Sequence, residues 1–273
     1  MSFRKFLKIM LFSLFLLSFP ALPLLAQGNF EFSFHYSRWS IDLLKGFIEE
    51  GISEALENEF KDRFLEDIKE EHPELEEVSY SQEVSFDSSG DNYGLEIRWY
   101  PGGIEGAFSL GISVEKTTMK LSLKEVSSSL ELSEGSGFWA NANGELMLKP
   151  LSFHLSFRWD ILPSSRLTPY ITLGLGAATG SVFEKGEVSY SYSGTLEIPG
   201  EEPEEYQDSQ KKTIKQIIDE LEEEEEEFFL PGFLPFLQLN LGIKGKITEN
   251  IHLLIDAGVW DGFLIRGSIA FRL

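Results

Sequence analysis

Two histidine–serine pairs are the residues in this chain best spaced for chemistry. His35 and Ser37 in "HYS", and His154 and Ser156 in "HLS", each stand two positions apart. On a strand, that spacing puts both side chains on one face, where an imidazole can act as a base toward a hydroxyl. A second set is ionic. Glu31, Glu96, Glu115, Asp160 and Asp256, with Arg98, Arg158, Lys244, Lys246, Arg266 and Arg272, all sit in segments where polar and apolar residues alternate. His252 shares this placement, whereas His72 stands apart in a charged stretch. Both signs occur in similar numbers, as mutual pairing inside a narrow interior would require.

Other chemistries find little support. The chain has no cysteine, which removes disulfides and thiolate metal sites. No loop has the carboxylate and glycine spacing of an EF-hand. The glycines of "GLGAATG" lie in a strand pattern and precede no helix, so a nucleotide-binding reading fails. His-x-Ser is common on polar strand faces, so neither pair defines an enzyme. We expect no catalytic site, cofactor site or metal site.

The elements that must position these residues are strands. Period-two alternation recurs in eight segments. "NFEFSFHY" sets Phe30, Phe32, Phe34 and Tyr36 against Glu31, Ser33 and His35. "YGLEIRWY" and "AFSLGISVE" follow the same rule. "LSFHLSFRWDI" is the clearest, with six large apolar residues from Leu151 to Ile161 opposite Ser152, His154, Ser156, Arg158 and Asp160. "YITLGLGAATG", "FLQLNLGIKGKI", "IHLLIDAGVW" and the closing "FLIRGSIAFRL" complete the set. Short turns at Pro101, Pro163 and Thr248 alternate with long connections over 41–90, 125–143 and 196–228, and the last hairpin turns at Asp261–Gly262. This is an up-and-down meander.

Two of the long connections carry helical spacing. Leu44, Phe47, Ile48, Ile52, Ala55, Leu56, Phe60, Phe64 and Ile68 form an apolar stripe, which predicts a helical insertion over about 41–72. Ile214, Ile217, Ile218 and Leu221 predict another over about 209–227, with lysines at its start and glutamates at its end, against the helix dipole. The acidity of the chain, −22 overall, is concentrated here. Of the three long connections, the first carries −12 and the third −11. Such loops repel nucleic acid and attract divalent cations or basic partners.

Bulk decides which strand face points inward. Eight strands enclose an interior only about wide enough for side chains to fill. The apolar face, with Phe, Leu, Ile or Trp at nearly every position, would overfill it. The polar face is rich in Gly, Ser, Thr and Ala and fits. The tryptophans agree with an outward apolar face. Trp99 and Trp159 stand by the short turns, while Trp39, Trp139 and Trp260 stand by the long connections, two levels that suit the aromatic girdles of a membrane barrel. The first residues have the layout of a secretory signal peptide: Arg4, Lys5 and Lys8, an apolar run to Phe19, then Pro20, with Ala26 as the last residue before cleavage.

From residue 29 to Leu273 the sequence resembles the small outer-membrane barrels of Gram-negative bacteria, the eight-stranded OmpA-like and OmpX-like class. The resemblance rests on the leader, the strand pattern, the turn asymmetry and the final "SIAFRL". Members of that class usually end on an aromatic residue, whereas this chain ends on Leu273 with Phe271 two places earlier. Some barrels of this size modify lipid A, and "HYS" looks like a fragment of a deacylase motif whose other residues are missing here.

The sequence therefore predicts an all-β protein: a signal peptide over 1–26, then an eight-stranded antiparallel up-and-down transmembrane β-barrel over 27–273 with long, partly helical extracellular loops. The expected interior network is Glu31, His35, Glu96, Arg98, Glu115, His154, Arg158, Asp160, Lys244, His252, Asp256 and Arg266. The expected location is the outer membrane, with periplasmic termini, lipid as surroundings and a monomeric state. The expected role is structural or interactive, with acidic loops contacting a surface ligand or divalent cations. A narrow pore, or less readily a lipid-modifying enzyme, is the alternative.

Overall fold

The computed structural model describes residues 29–55, 57, 62–103, 106–179, 185–223, 233–260 and 262–273. The expected leader, Leu56, Phe60, the glutamates at 224–227 and the turn residue Asp261 lie outside the described residues.

Among the described residues eleven antiparallel strands form one sheet: β1 (Asn29–Ser40), β2 (Glu77–Tyr100), β3 (Phe108–Leu132), β4 (Gly137–Leu148), β5 (Leu151–Asp160), β6 (Leu167–Thr179), β7 (Glu187–Glu197), β8 (Glu204–Thr213), β9 (Phe233–Lys246), β10 (Ile251–Trp260) and β11 (Gly262–Arg272). Eight of them close into a ring in the order β2, β1, β11, β10, β9, β6, β5, β3, with β3 hydrogen-bonded back to β2. These eight contain the eight alternating segments. In the ring the polar side of each strand is buried and the apolar side exposed. Phe153, Leu239 and Ile255 are 53%, 46% and 68% exposed, whereas Arg158 and Arg266 are 3% and 4% exposed.

The long connections differ from expectation. β2 and β3, at 24 and 25 residues, run far past the ring. β4, β7 and β8 join their far ends as a distal sheet in the order β2, β3, β4, β7, β8. Thus 125–143 is mostly strand, and much of 196–228 is strand as well. These strands escaped detection because their sequences carry no consistent apolar face. "EEYQDSQKKT" of β8 is polar throughout, and "EVSYSYSG" of β7 alternates serine with tyrosine. A sheet wetted on much of both faces needs no oily side.

Among the described residues three α-helices interrupt the strands: α1 (Lys45–Ala55), α2 (Asp62–Glu71) and α3 (Ile214–Glu223). The expected second insertion, over 209–227, is strand as far as Thr213. A bulge between Leu123 and Val126 switches the parity of β3. Below it odd residues such as Glu115 and Met119 face the ring interior; above it Val126 and Leu130 take that side. There, Leu65 and Ile68 of α2 pack with Leu75, Leu130, Leu132, Phe138 and Leu196. Leu65 and Ile68 of α2 are thus covered by the distal sheet. α1 buries none of its residues, and Phe47 is 79% exposed.

β1 stops pairing with β2 at Trp39 and Gly90, so the far half of β2 is a sheet edge. Side chains occupy that edge. Asp42 accepts hydrogen bonds from the Ser88 N–H at 2.8 Å and the Ser88 hydroxyl at 2.6 Å, and Glu49 accepts one from the Phe86 N–H at 2.8 Å. Partial burial works against the charge on Asp42, but these hydrogen bonds prevail and hold its carboxyl below the usual range. Capped N–H groups cannot recruit a foreign strand.

Phe138 is the largest side chain in the distal core. Phe138→Ala is expected to destabilise the distal sheet by about 3–5 kcal/mol while the ring stays closed. Limited proteolysis should then cut within 62–75 faster than in the parent, with no change in the ring's resistance.

Candidate functional site: the ring interior and its belt

The alternation that exposes Phe and Leu outside brings the ionic residues together inside. All buried Asp, Glu, Lys and Arg residues among the described residues lie in the ring interior. They are Glu31, Glu96, Glu115, Asp160 and Asp256 against Arg98, Arg158, Lys244, Arg266 and Arg272. Five of each sign leave no net charge.

Register fixes the contacts. Glu31 on β1 lies between Arg98 of β2 and Arg272 of β11. It accepts from Arg158 at 3.1 Å and from Arg272 at 3.2 Å. Glu96 accepts along one edge of the Arg98 guanidinium, from Nε at 3.0 Å and Nη2 at 2.9 Å, and is reached by Arg158 at 3.4 Å. Arg98 also donates to Ser156 Oγ at 2.7 Å. Asp256 accepts from Arg266 Nε at 3.0 Å, Asn240 Nδ2 at 2.8 Å and the Tyr170 hydroxyl at 2.5 Å. Lys244 pairs with Asp160 and donates to the Tyr100 hydroxyl at 3.3 Å. Charges this far from water are tolerated when each finds several partners.

Toward the long-loop end the network becomes milder. His35 Nε2 lies 3.3 Å from Glu115 Oε1. Ser113 and Asn92 each donate to Glu115 at 3.0 Å. His154 Nε2 is 2.6 Å from Ser152 Oγ, so its hydroxyl partner precedes it and is not Ser156. Both imidazoles rest against strands that lack a Cβ. A methyl on Gly94 would fall 2.1 Å from His35 Nε2, and one on Gly176 would fall 1.8 Å from His154 Nδ1. His252 is buried near the short turns, between Lys246 and Ala270 in register. Lys246 itself, expected inside, is exposed at its strand end. Beyond the histidines, Trp39, Met119, Ala178, Phe236 and Leu264 form buried apolar contributions at the long-loop ends of the ring strands.

Sequence reasoning missed Tyr100 and Tyr170. Both are buried, and each lies under a guanidinium: Arg272 is 3.8 Å from the Tyr100 ring centre and Arg158 is 4.6 Å from that of Tyr170. Their positions share parity with Arg98 and Thr172, which was the available signal. Aromatic identity pointed the other way.

The tryptophan girdle is also corrected. Trp99 and Trp159 do face outward near the short turns, and Trp159 packs against Phe108 at 5.5 Å between ring centres. Trp39 instead has the parity of Glu31 and His35; it is buried against Gly90 and Gly262. Trp139 belongs to β4, away from the ring. Trp260 ends β10, and its side chain lies outside the described residues. At the long-loop rim Tyr36 and Tyr93 face outward with ring centres 5.1 Å apart, and Phe233 and Phe263 are exposed there as well.

Among the described residues no group of three His, Asp or Glu side chains is placed to hold a metal ion, and no helix is long and apolar enough to cross a membrane. No family model and no curated protein matches the chain. Among solved structures, the transport unit of the autotransporter AIDA-I from Escherichia coli aligns at 10% identity over 89% of both chains, with a TM-score of 0.22. The Ralstonia pickettii toluene transporter TbuX aligns at 7% identity over 90% of this chain and 89% of its own, with a TM-score of 0.19. Similarity at this level sets no constraint on function.

Glu31 joins two arginines from opposite sides of the ring. Glu31→Gln leaves Arg158 and Arg272 without their shared carboxylate and is expected to lower stability by about 3–5 kcal/mol. Urea titration followed by tryptophan fluorescence will measure it.

Proposed function

We propose that this chain is an eight-stranded β-barrel spanning an outer membrane, with a structural or surface-interaction role. The distal sheet and the helices project outside, and the short turns and termini face the periplasm. The observation that carries this reading is the inverted burial of the ring. Ion pairs fill the inside, while Phe, Leu and Ile cover the outside on all eight strands. In water such a surface would be a large aggregation liability; in a bilayer it is the required one.

The belt has a suitable height. From Leu151 to Ile161 the chain advances about 34 Å at ~3.4 Å per residue. Strands tilted by about 40° would cover roughly 26 Å of the normal, close to the ~25 Å apolar band of outer-membrane barrels. A neutral interior crossed by ion pairs and apolar at its long-loop end favours a closed scaffold over a pore.

Leu155 lies mid-belt, in register with Ile112 and Leu175. Leu155→Arg is expected to cost about 2–4 kcal/mol when the protein is refolded into lipid vesicles. If water were the solvent of this face, the change would stay within about 0.5 kcal/mol. The parent should migrate differently on gels with and without heating, and planar bilayers containing it should show no sustained conductance. A heat-insensitive parent would overturn the barrel; steady channel currents would overturn the closed scaffold.

A further inference from the structure

The outward side of β1–β4 changes character in three steps above the belt. Leu95 and Ile97 on β2, with Ile112 and Val114 on β3, are belt residues. The next row is Tyr36–Tyr93–Lys116, and the one above it is Arg38–Asp91–Thr118, followed by Ser89–Lys120. Arg38 is 72% exposed and 3.2 Å from Asp91. Lys120 pairs with Glu145 at 2.5 Å and Lys124 with Asp87 at 2.5 Å. No ion pair among the described residues engages Lys116, which is exposed beside Tyr93. This rim holds Arg38, Lys116, Lys120 and Lys124 against Asp87, Asp91, Glu125 and Glu145, and Lys116 is the base that no described carboxylate engages.

Higher still, uncharged polar groups predominate on the same side, with Glu125 at its lower margin and Glu205 in the row of Trp139. β4 presents Trp139, Asn141 and Asn143, in register with Thr195, Ser193 and Ser191 of β7. Asn141, Asn143, Ser191, Ser193, Gln207 and Ser209 line a groove of about 810 Å³, together with Lys124, Glu125 and Asp208. The Trp139 ring lies over Gly137, where a Cβ would come within 2.7 Å, and is 43% exposed. The ring is thus laid along the sheet with area open to solvent.

We propose that this side binds one phosphorylated glycolipid of the outer leaflet. This rests on the barrel reading given above. Acyl chains lie along the belt. Arg38, Lys116 and Lys120 meet the phosphates through charge-assisted hydrogen bonds. The amide and hydroxyl groups of β4, β7 and β8 meet sugar hydroxyls, each able to donate and accept, and Trp139 offers a flat apolar surface to a sugar ring. Three ligand chemistries in one molecule match three zones stacked in the same order, continuous with the membrane-facing surface.

The test uses the full chain refolded in detergent micelles, with heat-modifiability confirmed for every variant. Rough lipopolysaccharide and phosphatidylglycerol are titrated separately, and retained lipid is measured by native mass spectrometry. Arg38→Glu with Lys116→Glu is expected to weaken lipopolysaccharide binding by about tenfold or more, as is Trp139→Ala with Asn141→Ala. The second pair should leave phosphatidylglycerol binding unchanged. Undiminished lipopolysaccharide binding in both variants, or equal retention of both lipids by the parent, would overturn the proposal while the barrel stands. A parent that shows no heat-modifiability would overturn both together.

Discussion

Charge compensation in a closed interior is the constraint on which the rest of the structure depends. Once eight strands close with Phe, Leu and Ile outward, every long polar residue on the other face is sealed in a space a few side chains wide. Such a ring is stable only if those charges neutralise one another at close range. Glu31 does so by receiving arginines from β5 and β11, Glu96 by receiving two from β2 and β5, and Asp256 by combining Arg266 with Asn240 and Tyr170. The network ties strands distant in sequence, so it also fixes the ring's register. A one-residue slip would put guanidinium groups in the belt and phenyl rings among ions.

The distal sheet follows from the same strands under a different solvent condition. β2 and β3 are single continuous strands, yet their surroundings change along their length. In the ring they are half of a two-sided boundary between an apolar exterior and an ionic interior. Past the bulge at Leu123–Val126, β3 reverses parity. An apolar residue on its inner side then becomes useful, since α2 covers that side with Leu65 and Ile68. On the outer side, the belt gives way to lysines paired with carboxylates and then largely to serines. One pair of strands thus crosses three environments, and its side chains change with each. Asp42 and Glu49 protect the edge this extension creates on β2.

The ring is legible in the sequence because its alternation is strict. Residues of both faces are forced, Phe153 by the exterior and Arg158 by the interior, so period two survives in every strand. The distal strands were illegible for the opposite reason. β8 buries none of its side chains and β7 only that of Leu196, and neither strand shows a consistent periodic pattern. The interior list came directly from parity, and the same rule would have captured Tyr100 and Tyr170. Assigning residues by type sent Trp39 to an interface; parity puts it inside.

By itself the sequence determined the composition of each strand face, the order of the eight ring strands along the chain, and the two signs of charge that must meet inside. These are local properties, fixed by the two-residue repeat and by short turns. Only the tertiary structure decided which acid meets which base, that β2 and β3 outrun the ring, and that β4, β7 and β8 assemble on them. Pairing across a closed sheet depends on register and curvature summed over strands far apart in sequence, such as Glu31 with Arg158. No local pattern encodes that sum, because the contact exists only once the ring has closed.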